Sequence, residues 1–197
     1  MSAAAVLLYT SPVFVTLIAV PVLKEKLSSR KLVAVLLAIT GCAFVSGIMS
    51  GKVTFPADAF LWGMGAALGY AMYSIVAGVL LKRYHPLTVL FYAFLTAAAA
   101  GCFLADMKHM VYSISQYPQL GVVLVVSACV CNIFSYLSYN TALKYMEAGR
   151  VSVIASIEPA VASFLGVAVL GESMDFYGAS GVICIPVSYT HLRAHET

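Results

Sequence analysis

Glu158 is the residue whose surroundings most call for chemistry. It sits near the middle of residues 150–170, a run otherwise almost wholly apolar or small and about long enough to cross a bilayer. A carboxylate at that depth costs roughly 3 kcal/mol, and each Val, Ile, Leu or Phe returns about 0.3–0.6 kcal/mol. The run therefore tolerates one acid and hardly two. Such a carboxyl can take up a coupling proton or bind an amine on a solute. Pro159 follows it and has no N–H, so a continuous helix would leave the carbonyl of Ala155 without its donor one turn below the acid. The bland alternative is a protonated, hydrogen-bonded structural acid that steadies this opened backbone.

A second group of polar side chains lies at spacings of three and four in residues 118–143. Asn132, Ser135, Tyr136, Tyr139 and Asn140 are predicted to share one helical face, with Val122, Val126, Ile133 and Leu137 supplying apolar surface elsewhere. They would offer donors and acceptors to a solute, or else hold the bundle together through interhelical hydrogen bonds worth about 0.6 kcal/mol each. Tyr70, Tyr73 and Ser74 form a shorter face of the same kind. Glu25 and Glu172 stand at helix ends and read as orientation or loop-packing residues. Lys144 reads as a snorkelling side chain.

The elements that must position these residues repeat. At a constant offset of 147, Ser11-Pro12 falls on Glu158-Pro159, and Leu23-Lys24-Glu25 falls on Leu170-Gly171-Glu172. A helix-interior proline followed thirteen residues later by a helix-ending glutamate, twice, marks an internal repeat. Ser11 takes the place of Glu158 in the first copy, so the fold does not require an acid there. This favours a functional acid and makes Ser11, Pro12 and Pro159 part of the candidate path.

Composition sets the class. Of 197 residues, 62% are hydrophobic and 10% charged, against about 25% charged in soluble domains, and mean hydropathy is +0.96. Runs of about twenty apolar residues, rather than short alternating segments, predict an all-α polytopic membrane protein and exclude a β-barrel. The net charge of +3 is spread over loops and makes no basic patch, so nucleic acid is not an expected partner. Cys42, Cys102, Cys129, Cys131 and Cys184 all fall inside apolar runs and read as small buried residues rather than a metal or redox set.

Seven spans are predicted: residues 3–23, 31–49 (ending in Gly47 and Gly51), 57–81, 86–105, 118–143, 150–170 and one starting near 176. The third carries Gly65-x-x-x-Gly69 as an expected close helix contact, and residues 106–117 read as a polar loop. Loops on one side hold Lys24, Lys26, Arg30, Lys31, Lys82, Arg83, Lys144 and Arg150; those on the other hold Lys52 and Lys108. The first side is therefore predicted to face the cytoplasm. Pro12 and Pro159 then lie five helices apart in opposite orientation, the arithmetic of two inverted five-helix repeats, which is a transporter signature. Residues 1–50 would be the last two helices of the first repeat and 57–185 the second, so about seven helices of ten are present and three are expected upstream. Pro186 breaks the last apolar run. Residues 186–197 resemble a translated adaptor sequence and are expected to be a non-native tail, despite the i,i+4 pair His191 and His195.

Tyr9-Thr10-Ser11-Pro12-Val13-Phe14-Val15 with Leu23-Lys24-Glu25-Lys26, and Ile157-Glu158-Pro159-Ala160 with Leu170-Gly171-Glu172, resemble the paired EamA signatures of the drug/metabolite transporter superfamily. Ala142-Leu143-Lys144-Tyr145 is similar to the family pattern too. The resemblance implies a ten-helix secondary transporter of the cytoplasmic (inner) membrane in a prokaryote. It also implies a central cavity, no bound cofactor and a small metabolite, amino-acid-like or drug-like solute as partner. An intramembrane enzyme is not expected, because His85 and His109 fall in loops on opposite sides and Glu158 has no second acid in its helix. A non-transporting helical scaffold or packing subunit is the alternative.

Overall fold

The structure is a computed structural model that describes residues 7–46, 56–171 and 176–193. Glu172, Lys52, Gly47, Gly51 and His195 lie outside the described residues. Those described form helices α1 (Ser11–Leu23), α2 (Ser29–Val45), α3 (Ala57–Leu80), α4 (Pro86–Leu104), α5 (Met107–Gln116) and α6 (Pro118–Ser127). A π-helical segment, Ala128–Phe134, comes next, then α7 (Ser135–Tyr145), α8 (Ala148–Ala155), α9 (Glu158–Leu170) and α10 (Phe176–Arg193). Among the described residues four helical stretches are long and apolar enough to cross a membrane: Ala57–Leu80, Pro86–Leu104, Pro118–Tyr145 and Ala148–Val169. The chain is a polytopic α-helical membrane protein. Large apolar side chains such as Phe91, Leu95, Phe103 and Val122 are exposed, as they must be where the solvent is lipid.

The chain divides into two compact units, one holding residues up to Val76 and from Met146 onward, the other Ala77–Tyr145. In the first, α2 and α10 make the closest approach. A Cβ on Gly181 would stand 2.6 Å from the Gly41 carbonyl oxygen and 2.8 Å from the Val45 nitrogen; one on Gly41 would meet Ile185 Cγ1 at 2.6 Å. Small residues let two backbones meet where no hydrophobic force draws helices together in lipid. Around this crossing Cys42, Ala160 and Ile185 are buried together, with Tyr9, Val45 and Val182 packed on them. A second cluster joins Ala34, Val35, Ala38 and Val153. In the second unit α4 packs on α7, with the Phe94 and Tyr136 rings edge to face at 5.6 Å.

Four sequence expectations change. Residues 106–117 are not a loop: α5 occupies them, started by Asp106, whose carboxylate accepts from the His109 N–H at 3.0 Å. Residues 150–170 are not one helix but two, α8 and α9, separated by a turn at Ser156-Ile157. The last helix does not stop at Pro186: α10 continues to Arg193, held by the buried Ile185 and Ser188 on either side of the proline. Finally, among the described residues an added Cβ on Gly65 or Gly69 would meet nothing within 4 Å; the close contact belongs to Gly41 and Gly181 instead.

Candidate functional site

The turn at Ser156-Ile157 builds the site. The Ser156 N–H donates to the carbonyls of Ser152 and Val153, and the Ile157 N–H donates to the Ile154 carbonyl at 3.1 Å, so α8 closes with a tightened three-residue turn. Helix α9 then restarts at Glu158, with Pro159 in its first turn, where a missing N–H costs nothing. The proline thus opens a new helix instead of interrupting an old one.

The first copy of the motif does the same. Residues 9 and 10 form a turn, Thr10 N–H donates to the Leu7 carbonyl at 3.0 Å, and α1 restarts at Ser11 with Pro12 in its first turn. At the offset of 147 this is the Ile157-to-Ile154 bond. Both restarted helices run thirteen residues and both end on a left-handed residue, Lys24 at φ 59° and Gly171 at φ 67°. The correspondence therefore extends to the turn's closing bond and to both ends of the restarted helix, not only to the letters.

Glu158 is exposed at its break, while Pro159 and Ala160 behind it are buried. The carboxylate is near enough to the Tyr9 phenol and the Cys42 thiol to interact electrostatically with both. The Cys42 Sγ faces the Ser156 carbonyl at 3.9 Å. An acid, a phenol, a thiol and the ends of two broken helices thus share one place. Ser11 and Pro12 are buried at the other break. Such a spot can exchange a proton or hold a cationic group, because half-helix ends expose backbone dipoles where charge would otherwise be unsupported.

A second polar cluster lies at the other end of α8, and sequence reasoning missed it. Glu25, just past the left-handed residue that ends α1, accepts from Ala148 N–H at 2.6 Å and from Gly149 N–H at 3.4 Å. It thereby supplies the cap that Glu147, at the N-cap position of α8, does not make with its own side chain. Lys31 Nζ lies 2.8 Å from Glu25 Oε2 and 2.9 Å from Glu147 Oε2, which Arg150 Nε also approaches at 3.1 Å. The Lys31 and Glu25 side chains are each only 7% exposed. Removing one partner of so dry a pair leaves a buried charge, a loss of about 3–5 kcal/mol.

The EamA-like transporter family matches residues 1–47 and 58–191, nearly the whole chain. The chain belongs to the EamA-like transporter family. A curated relative, the uncharacterized transporter YxxF of Bacillus subtilis (strain 168), is 24% identical over 180 residues. That match covers 90% of this chain and 56% of the relative, so the chain spans a little over half the relative's length.

The remaining candidates of this EamA-family chain are not gathered on one face. The π segment places its hydrogen bonds one residue further along than an α-helix does, which rotates Asn132 out of the three-and-four register. Asn132 and Ser135 lie at the surface, Tyr136 and Tyr139 are half-buried, and Asn140 is fully buried. Tyr136 meets the Phe94 ring, and Tyr139 and Asn140 are engaged as well. On α3, Tyr70 and Tyr73 are half-buried and Ser74 is buried, its hydroxyl donating to the Tyr70 carbonyl at 2.9 Å. Lys144 reaches back over the Tyr145 ring, 6.0 Å from its centroid. Cys102, Cys129 and Cys131 are exposed on their helices, not buried, whereas Cys42 is buried and Cys184 half-buried; all are free thiols.

Proposed function

We propose that this chain carries the central elements of a secondary transporter that moves a small metabolite, amino-acid-like or drug-like solute across a prokaryotic cytoplasmic membrane by alternating access. One observation carries the reading: two half-helix breaks of the same geometry, 147 residues apart, with an acid at one and serine at the other. Paired broken helices of this kind mark substrate and ion sites in transporters built from inverted repeats. In this reading the two breaks belong to oppositely oriented copies, and Glu158 handles a proton or a cationic group of the solute.

The test is Glu158→Gln, expressed from the complete genomic reading frame and reconstituted in proteoliposomes. The amide keeps the size and most of the hydrogen bonding, so folding and insertion are expected to survive. Transport is expected to fall at least about tenfold, since a charge-assisted contact is worth roughly 1.5–3 kcal/mol. Loss of pH-driven accumulation with retained solute exchange assigns Glu158 to the proton; loss of both assigns it to the solute. Unchanged transport in a stably expressed variant makes the acid structural.

A further inference from the structure

The cluster of Glu25, Lys31, Glu147 and Arg150 has a position that its chemistry alone does not explain. Glu25 follows directly on α1, which begins at one break, and it caps α8, which ends at the other. The helices α1 and α8 pack on each other, with Thr16 buried at their contact, 3.3 Å from where a Gly149 Cβ would stand. Glu25 therefore joins two half-helices at the ends remote from the breaks, and Lys31, on the first turn of α2, ties Glu25 to Glu147. They do so between residues more than a hundred positions apart, and with no net charge in the group.

We propose that this cluster is a latch: Glu25, Lys31, Glu147 and Arg150 hold the end of α1 to the start of α8, and they part before the path between these helices opens at that end. The inference rests on the transporter reading and adds to it the element that closes one side. The structure holds the latch shut, with Lys31 bridging both carboxylates. Opening trades these buried pairs for hydration, and charges returned to water recover the desolvation they lost on burial. A purely apolar contact of the same area would lack that compensation. The Lys and Arg count assigns this end to the cytoplasm.

The test reads opening directly. In a chain that keeps the buried Cys42 and has its other four cysteines replaced by alanine, Thr16→Cys places a thiol just beneath the cluster, and the same chain with Thr16 intact gives the background. Its labelling by a membrane-impermeant maleimide is followed from each side of the membrane, without solute. Labelling is expected to be slow in the parent and in Lys31→Arg, which keeps the charge. In Glu25→Gln/Lys31→Met, which removes the buried pair together and leaves Glu147 with Arg150, the rate is expected to rise roughly tenfold from one side only. Should that double variant fail to reach the membrane, Glu147→Gln, which removes the pairs with Lys31 and Arg150 and leaves Glu25 with Lys31, is expected to give a smaller one-sided rise. An unchanged rate, or a rise from both sides, overturns the latch. Because no solute is used, an unchanged rate in a chain that transports removes the latch alone. A one-sided rise in a chain that transports nothing keeps the latch and removes the transport reading.

Discussion

At the scale of single residues, what a glycine faces separates packing from mere composition. Gly181 stands against backbone: a methyl there would lie 2.6–2.8 Å from the Gly41 carbonyl, the Val45 side chain and the Val45 nitrogen. Backbone cannot give way as a flexible side chain can, so Gly181→Ala must push α2 and α10 apart. A loss of about 1–3 kcal/mol is expected from such overpacking. Among the described residues Gly65 and Gly69 face open space, so alanine there is expected to be neutral or to stabilise by up to about 1 kcal/mol through helix propensity. Thermal unfolding of the three variants in one detergent checks this; a melting point for Gly181→Ala at or above that of Gly65→Ala would contradict the observed crossing. The sequence motif pointed to the wrong pair because spacing reports which glycines share a helix face, not which face meets a neighbour. The Glu25–Lys31–Glu147 cluster was hidden for a related reason. Lys31 served as a marker of topology and Glu25 as a loop residue, and no periodicity connects position 25 to position 147.

At the scale of elements, the repeat was legible and its consequence was not. The paired prolines and terminal glutamates located both motifs from the sequence, and the two thirteen-residue helices begin and end at corresponding positions. A helix containing proline was expected to run on with one carbonyl unpartnered. The structure instead breaks it, because two short helices with proline in the first turn satisfy more backbone than one long helix with a gap. The same limit applies at Ala128–Phe134, where a wider turn displaced a face that had been drawn with α-helical spacing. If Pro159 sets the break, Pro159→Ala restores a donor and allows α8 to continue into α9. The new amide at 159 is then expected to exchange slowly with deuterium, stability to stay within about 1 kcal/mol of the parent, and transport to fall as Glu158 is turned from its place. Rapid exchange at residue 159 with full transport would mean that the packing of Ser156 and Ala160, both buried, sets the break without help from the proline.

At the scale of the whole molecule, orientation is the property on which the inverted-repeat reading depends, and it follows from the unequal distribution of a few charges. Lysine and arginine resist passage across the membrane, so the loops that carry them stay where the chain is made. Eight such residues fall on the side read as cytoplasmic, among them Lys31 and Arg150 of the ion cluster, and Lys108 at the start of α5 falls on the other. That α5 is a helix rather than a loop does not alter the count. It has ten residues, too few to cross, so α4 and α6 still enter and leave on one side. Cysteines placed at Ser28 and Arg83 are therefore expected to react with an impermeant thiol reagent only from the cytoplasmic side, and one placed at Lys108 only from the opposite side. With that result the two breaks lie in helices that run in opposite directions, which is what a pseudo-two-fold axis in the membrane plane requires. Reaction of Ser28 and Lys108 from the same side would instead mean an even number of crossings between them, and the count of five helices from Pro12 to Pro159 would fail.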